Sequence, residues 1–276
     1  MKAKKKIKLF NFNNLTKTLN FNFYVIKYAK TKEDKEKYNK YISDRYNSTA
    51  VTDMLRTVVD KVGAKVLSIS KQDYFPVGAS SCILISEEEV DKSIIDPSCN
   101  LGDVFAHLDK SHICAHTYPE YSPKNNVASF RMDIQISTCG KISPLMALDF
   151  IIEEFRCGQV SDLIIIDYMV RGFTRTDDKK IYMDHNIKTI SNFISRKNRL
   201  KFFMKEYADI NQRTWLTKLM NNKFNIKSHM FTNDKCDLKA VEKLIKREMI
   251  DIYSSNNKFS EIKESDVWKN IEPKEK

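Results

Sequence analysis

The segment His107-Leu108-Asp109-Lys110-Ser111-His112-Ile113-Cys114-Ala115-His116-Thr117-Tyr118-Pro119-Glu120 concentrates the reactive side chains of this chain. Three of its five histidines lie there. His112, Cys114 and His116 alternate, so an extended strand projects all three from one face. His and Cys together suit zinc. The same residues suit nucleophile-and-base chemistry built on Ser111 or a cysteine. No distant pair completes a recognisable metal set, and a half-buried strand carrying satisfied imidazoles accounts for the same letters. Residue types alone leave these three readings open.

The elements that must position the segment are legible around it. Residues 33–62 read as helical, ending near Gly63. Strands are expected at 64–70, 81–86, 112–118 (ended by Pro119), 127–138 and 162–171. Residues 87–103, polar with Pro97 and Gly102, read as a loop. In 127–138, Met132, Ile134 and Ile136 fall on one face and Arg131, Asp133, Gln135, Ser137 and Cys139 on the other. Ser143-Pro144 is a helix start, Ser as N-cap and Pro at the first helical position; Leu145, Leu148, Ile152 and Phe155 follow at helical spacing. From about Asp184 the chain reads as mostly helical and charged. The expected fold class is α+β: an antiparallel sheet with helices packed on one face, a two-layer sandwich, plus a helical C-terminal extension.

Composition narrows the function classes. The chain has 276 residues, 42% hydrophobic and 30% charged, ordinary for a soluble globular protein. No apolar run approaches the roughly 20 residues that span a bilayer, and no long apolar stretch follows the basic start Met1–Lys8, so neither a membrane segment nor a signal peptide is expected. The reading is a cytoplasmic protein. The net charge of +11 raises nucleic-acid binding, but the lysines are spread among acids, as in Lys32-Glu33-Asp34-Lys35-Glu36-Lys37, which describes a lysine-rich surface with no nucleic-acid partner. Cys82, Cys99, Cys114, Cys139, Cys157 and Cys236 include no Cys-x-x-Cys pair, and thiols in a reducing compartment are the expectation.

The run Asp109–Glu120, followed by Ser137-Thr138-Cys139-Gly140, resembles the bacterial S-adenosylmethionine decarboxylase family in its longer, enteric-type form. Further matches follow in order. Phe12-Asn13-Asn14-Leu15-Thr16-Lys17 resembles the start of that form. Gln72-Asp73-Tyr74, Pro76 and Gly78-Ala79-Ser80 resemble its first active-site segment. Val170–Arg175, Asp184-His185 and His229-Met230-Phe231 fall in its C-terminal part.

The resemblance implies a proenzyme that cuts itself between Lys110 and Ser111. Residues 1–110 become a β chain and 111–276 an α chain of one domain, 1–276. Ser111 attacks the Lys110 carbonyl, and the ester is broken by elimination with His116 as proton acceptor. Ser111 is left as a covalently bound pyruvoyl group that forms a Schiff base with the substrate amine. In this reading Ser80 supports processing, Cys139 is the proton donor in turnover, Tyr74 and Tyr118 flank the adenine, and Glu120 holds the ribose. Lys110 stands where shorter family members have Glu, as in the longer form. The implied product is decarboxylated S-adenosylmethionine, an aminopropyl donor for spermidine biosynthesis. Magnesium as activator and an oligomer of αβ units are further implications, with no metal ligand assigned. A relative using the same chemistry on ornithine or arginine would lack the adenine-stacking aromatics, and Tyr74 and Tyr118 are both present.

Overall fold

The chain is represented by a computed structural model, described here for residues 12–13, 15–86, 111–139, 142–158, 162–172, 174–175, 187–231 and 237–254. Ten strands are described: β1 (Phe12–Asn13), β2 (Thr16–Tyr28), β3 (Lys65–Asp73), β4 (Ala79–Ser86), β5 (Ser111–Ser122), β6 (Val127–Thr138), β7 (Leu163–Arg171), β8 (Thr174–Arg175), β9 (Phe202–Asp209) and β10 (Thr214–Asn221). Eight of them form one antiparallel sheet in the order β3-β4-β5-β6-β2-β7-β10-β9, while β1 pairs only with β8. Helices α1 (Lys32–Arg45), α2 (Ser48–Val62), α3 (Leu148–Gly158), α4 (Arg196–Arg199) and α5 (Leu238–Ser254) complete the described elements, with short 3-10 turns.

The α+β class expected from the sequence is the class observed. The alternation that creates it is plainest in β2. Leu19, Phe21, Phe23 and Val25 enter one apolar cluster with Tyr38 and Ile42 of α1, Val51, Leu55, Val58 and Val59 of α2, and Ile151 and Ile152 of α3. Tyr24, Ile26 and Tyr28, from the opposite face of β2, join Val241, Ile245 and Met249 of α5. Three helices therefore cover one face, and α5 adds a partial layer on the other. The helical reading of the C-terminal residues is corrected in one respect: they also supply β9 and β10, whose Lys205 and Lys218 mask the strand pattern.

Helix 33–62 is two helices. Asn47 interrupts it as an N-cap, its side chain accepting from Ala50 N–H at 2.9 Å, and this satisfies an orphan donor at the start of α2. Gly63 closes α2 in the left-handed region, φ 78°. Pro119 does not end β5, which runs on to Ser122. The β4 ladder reaches only His116, and beyond it the Pro119 ring lies against the Gly78 turn, so no β4 ladder bond is lost. The loop expected at 87–103 lies outside the described residues.

Candidate active site

β5 carries the site along two faces. Ile113 and Ala115 point into the helix-covered core. His116, Tyr118 and Glu120 are all exposed on the other face, away from those helices, and His112 and Cys114 precede them on it. The shared parity expected for His116, Tyr118 and Glu120 is what the strand displays. Among the described residues, no three His, Cys, Asp or Glu side chains gather as a metal-binding set.

Two clusters of candidate residues emerge. The first is at the start of β5. Ser111 is its first residue, only 5% exposed, and its Oγ accepts the Cys139 backbone N–H at 3.1 Å. Cys139 follows directly on β6. The segment after it is anchored by a feature that sequence reasoning missed: Thr138 Oγ1 donates to Ile142 O at 3.0 Å, and the fully buried Lys17 donates its ammonium to the same carbonyl. Lys17 pairs with Thr138 in the β2–β6 register. The signal available was Lys17 itself, a charged residue one step into an otherwise apolar-alternating strand. Lys110, Gly140 and the His107–Asp109 run lie outside the described residues.

The second cluster is at the far end of β4. Ser80 faces His116 directly in the β4–β5 register, and Tyr74 donates its hydroxyl to Ser80 Oγ at 2.8 Å. The turn between Tyr74 and Ser80 is tightly tied. Tyr74 N–H donates to Gly78 O at 2.8 Å, and Ala79 N–H to Thr117 Oγ1 at 2.7 Å. At Gly78, φ is +118° and an added Cβ would sit 3.3 Å from Thr117 Oγ1, so both conformation and space call for glycine. At the other end of the turn, Asp73 accepts from Ser48 N–H and Ser48 Oγ at the start of α2, at 2.7 and 2.9 Å. Tyr118 extends the same face, with the Arg131 guanidinium 4.1 Å from its ring centroid, a cation–π contact. Asp133 is the partner of His116 in the β5–β6 register. Burial pushes the Asp133 carboxyl above the usual carboxylate range, opposed by Arg131 and His116.

Within one chain the two clusters stay apart. Five residue steps lead from Ser111 to His116 along β5, about 16 Å at roughly 3.3 Å per step. Ser111 meets Cys139, and His116 meets Ser80; the chain on its own does not bring His116 to Ser111.

A family model described as S-adenosylmethionine decarboxylase matches residues 44–165. The S-adenosylmethionine decarboxylase proenzyme of Clostridium perfringens (strain SM101 / Type A) is 46% identical over 269 residues, covering 92% of this chain and 98% of that protein. The protein of the same name from Clostridium botulinum (strain Eklund 17B / Type B) is 44% identical over 270 residues, covering 91% and 97%. That from Sodalis glossinidius (strain morsitans) is 43% identical over 262 residues, covering 91% and 98%. At these identities, over nearly the full length of each relative, the chain belongs to the S-adenosylmethionine decarboxylase family. The crystal structure of the adenosylmethionine decarboxylase from Aquifex aeolicus matches 61% of this chain and 98% of its own, with 16% identity and a TM-score of 0.32, too weak a likeness to bear on the fold.

Proposed function

We propose that this protein is a self-cleaving, pyruvoyl-dependent S-adenosylmethionine decarboxylase of the cytoplasm, supplying the aminopropyl donor for spermidine biosynthesis. The observation that carries the site assignment is the bond from the Cys139 N–H to Ser111 Oγ. It occupies one lone pair of the hydroxyl and leaves another for attack on the Lys110 carbonyl carbon. Near-complete burial of Ser111 keeps water from competing with that attack. The peptide bond becomes an ester as the Ser111 amine is released. Loss of the Ser111 α-proton expels the Lys110 carboxylate, and water then replaces the nitrogen, which leaves as ammonia. The β chain ends at Lys110 and the α chain begins with a pyruvoyl group.

When formed, that group supplies the electron sink for loss of carbon dioxide from the substrate's α-carbon. The surrounding residues bind and move protons. The Cys139 thiol returns a proton to the substrate carbon. Tyr74 and Tyr118 present aromatic faces to the adenine and the sulfonium, a contact worth roughly 0.5–2 kcal/mol for the cation. Glu120 accepts from the ribose hydroxyls. Ser80 and His116 serve chain cleavage, His116 as the base.

The separation of about 16 Å supports a further point: the working unit is an oligomer of αβ units. An oligomer would supply His116 and Ser80 of one copy to Ser111 and Cys139 of another, an exchange that a closed symmetric assembly makes reciprocal. Magnesium is proposed as an activator, so chelation with EDTA should lower turnover and added magnesium should restore it.

Denaturing mass spectrometry of freshly purified protein tests the reading. Two chains are expected, the larger one blocked by a pyruvoyl group, together with release of carbon dioxide from S-adenosylmethionine. One stable intact chain with no decarboxylation would overturn it.

A further inference from the structure

Cys82 and Cys114 lie directly opposite each other in the β4–β5 register, and their sulfurs are in direct contact, 2.6 Å apart. Opposed residues of an antiparallel pair have Cα atoms about 4.5–5.5 Å apart, inside the roughly 4.4–6.8 Å that a disulfide spans. The register places the pair within bridging range. Both side chains are partly exposed on the face that also carries His116, and the next pair along that face is Ser80 with His116.

We propose that Cys82 and Cys114 are a redox-responsive dithiol that closes to an intramolecular disulfide and thereby restrains the neighbouring Ser80–His116 pair. The contact between the two thiols lowers that of Cys82 and raises that of Cys114. The thiolate is the nucleophile, and attack from Cys82 or from Cys114 gives the same bridge. With a peroxide as oxidant, Cys82 sulfur attacks one peroxide oxygen and becomes a sulfenic acid as water leaves. Cys114 sulfur then displaces the hydroxyl, forming the S–S bond and a second water. Two thiols are oxidised, one peroxide is reduced, and a dithiol reverses the reaction by exchange. The closed bridge fixes both side-chain torsions and locks β4 to β5 one pair away from His116.

The test uses the purified processed protein, hydrogen peroxide and non-reducing peptide mapping, with decarboxylation measured in parallel. The expected result is a peptide pair linked through Cys82 and Cys114, 2 Da lighter than the two free peptides together, accompanied by an at least threefold loss of activity that dithiothreitol restores. Cys82→Ser should escape the reversible part of that loss. Cys82→Val, which carries no hydroxyl, serves the same purpose if the serine variant folds poorly. No linked peptide, a link between copies or to Cys139, or an equal reversible loss in both variants would each overturn the proposal. The mapping does not require decarboxylase activity, so its failure and that of the proposed reaction are read separately.

Discussion

The Cys139 backbone N–H donates to the Ser111 hydroxyl oxygen at 3.1 Å across 28 positions of sequence. The contact is made by the main chain, so it survives changes to the Cys139 side chain, and this separates two roles that would otherwise be confounded. Cys139→Ala should still be cut before Ser111, because the N–H remains. Its decarboxylation rate should fall about 10²–10⁴-fold, the usual worth of a positioned general acid. Gel analysis of chain cleavage beside a carbon dioxide release assay checks both halves; an uncut Cys139→Ala chain would place the thiol in processing instead.

Ser111→Ala removes the nucleophile. The expected protein is a single uncut chain, folded and without activity, seen by intact mass and circular dichroism. Residual decarboxylation by that variant would refute a pyruvoyl mechanism.

His116→Ala and Ser111→Ala should each fail to cleave alone. Refolded together, they should form mixed oligomers in which one site combines an intact Ser111 with an intact His116 from the other copy, so the His116→Ala chains in the mixture become cut. If mixing yields no cleavage in oligomers shown to be mixed, His116 reaches Ser111 within its own chain.

Tyr74 bonds Ser80 through its hydroxyl at 2.8 Å and is 41% exposed as a residue. Tyr74→Phe removes only the bond, worth about 0.5–1.5 kcal/mol, and should slow chain cleavage severalfold while leaving KM near the wild-type value. Tyr74→Ala removes the ring as well and should raise KM. A KM increase of equal size in both would show that the hydroxyl, not the ring, meets the substrate.

Asp162 is a buried anchor remote from the chemistry. Its Oδ2 accepts the Ile26 N–H at 2.6 Å, and the His229 ring lies 3.7 Å from its Oδ1. Burial raises its carboxyl above the usual carboxylate range, against the opposing influence of His229, the Ile26 N–H and Lys27. A carboxyl raised in the folded state holds its proton better there than in the unfolded chain. Its contribution is therefore most favourable in acid, below the unfolded carboxylate value, and diminishes as pH rises through the folded one. Urea titrations across that range should show the stability advantage of wild type over Asp162→Asn shrinking as pH rises. Asp162→Ala, which strands the Ile26 N–H, should cost about 1–3 kcal/mol.

What the sequence made legible follows from physical range. Strict alternation set the two faces of β6, and the buried Met132, Ile134 and Ile136 stand where that pattern put them. The common face of His116, Tyr118 and Glu120 was legible for the same reason. β2 is not legible although Leu19, Phe21, Phe23 and Val25 alternate cleanly, because Asn20 and Asn22, residue types depleted in strands, stand between them. β10 was masked by Lys218, which is fully buried with its ammonium donating to Tyr253 O at 2.5 Å; an interior lysine reads as surface until its partner is known. The meeting of Cys139 with Ser111 depends on strand register, which local pattern does not encode.

The place of β2 has a consequence for maturation. It belongs to residues 1–110 yet lies between β6 and β7, both from residues 111–276, paired with β6 from Lys17 to Tyr28 and with β7 from Thr16 to Tyr24. A cut before Ser111 would therefore release nothing: the two products share one sheet and part only if the centre of that sheet is torn open. Such a protein folds once as a single chain, but after cutting, its recovery from denaturation requires two molecules to find each other and becomes concentration-dependent. Maturation would then be a ratchet, with the uncut chain acting as the template for its own assembly.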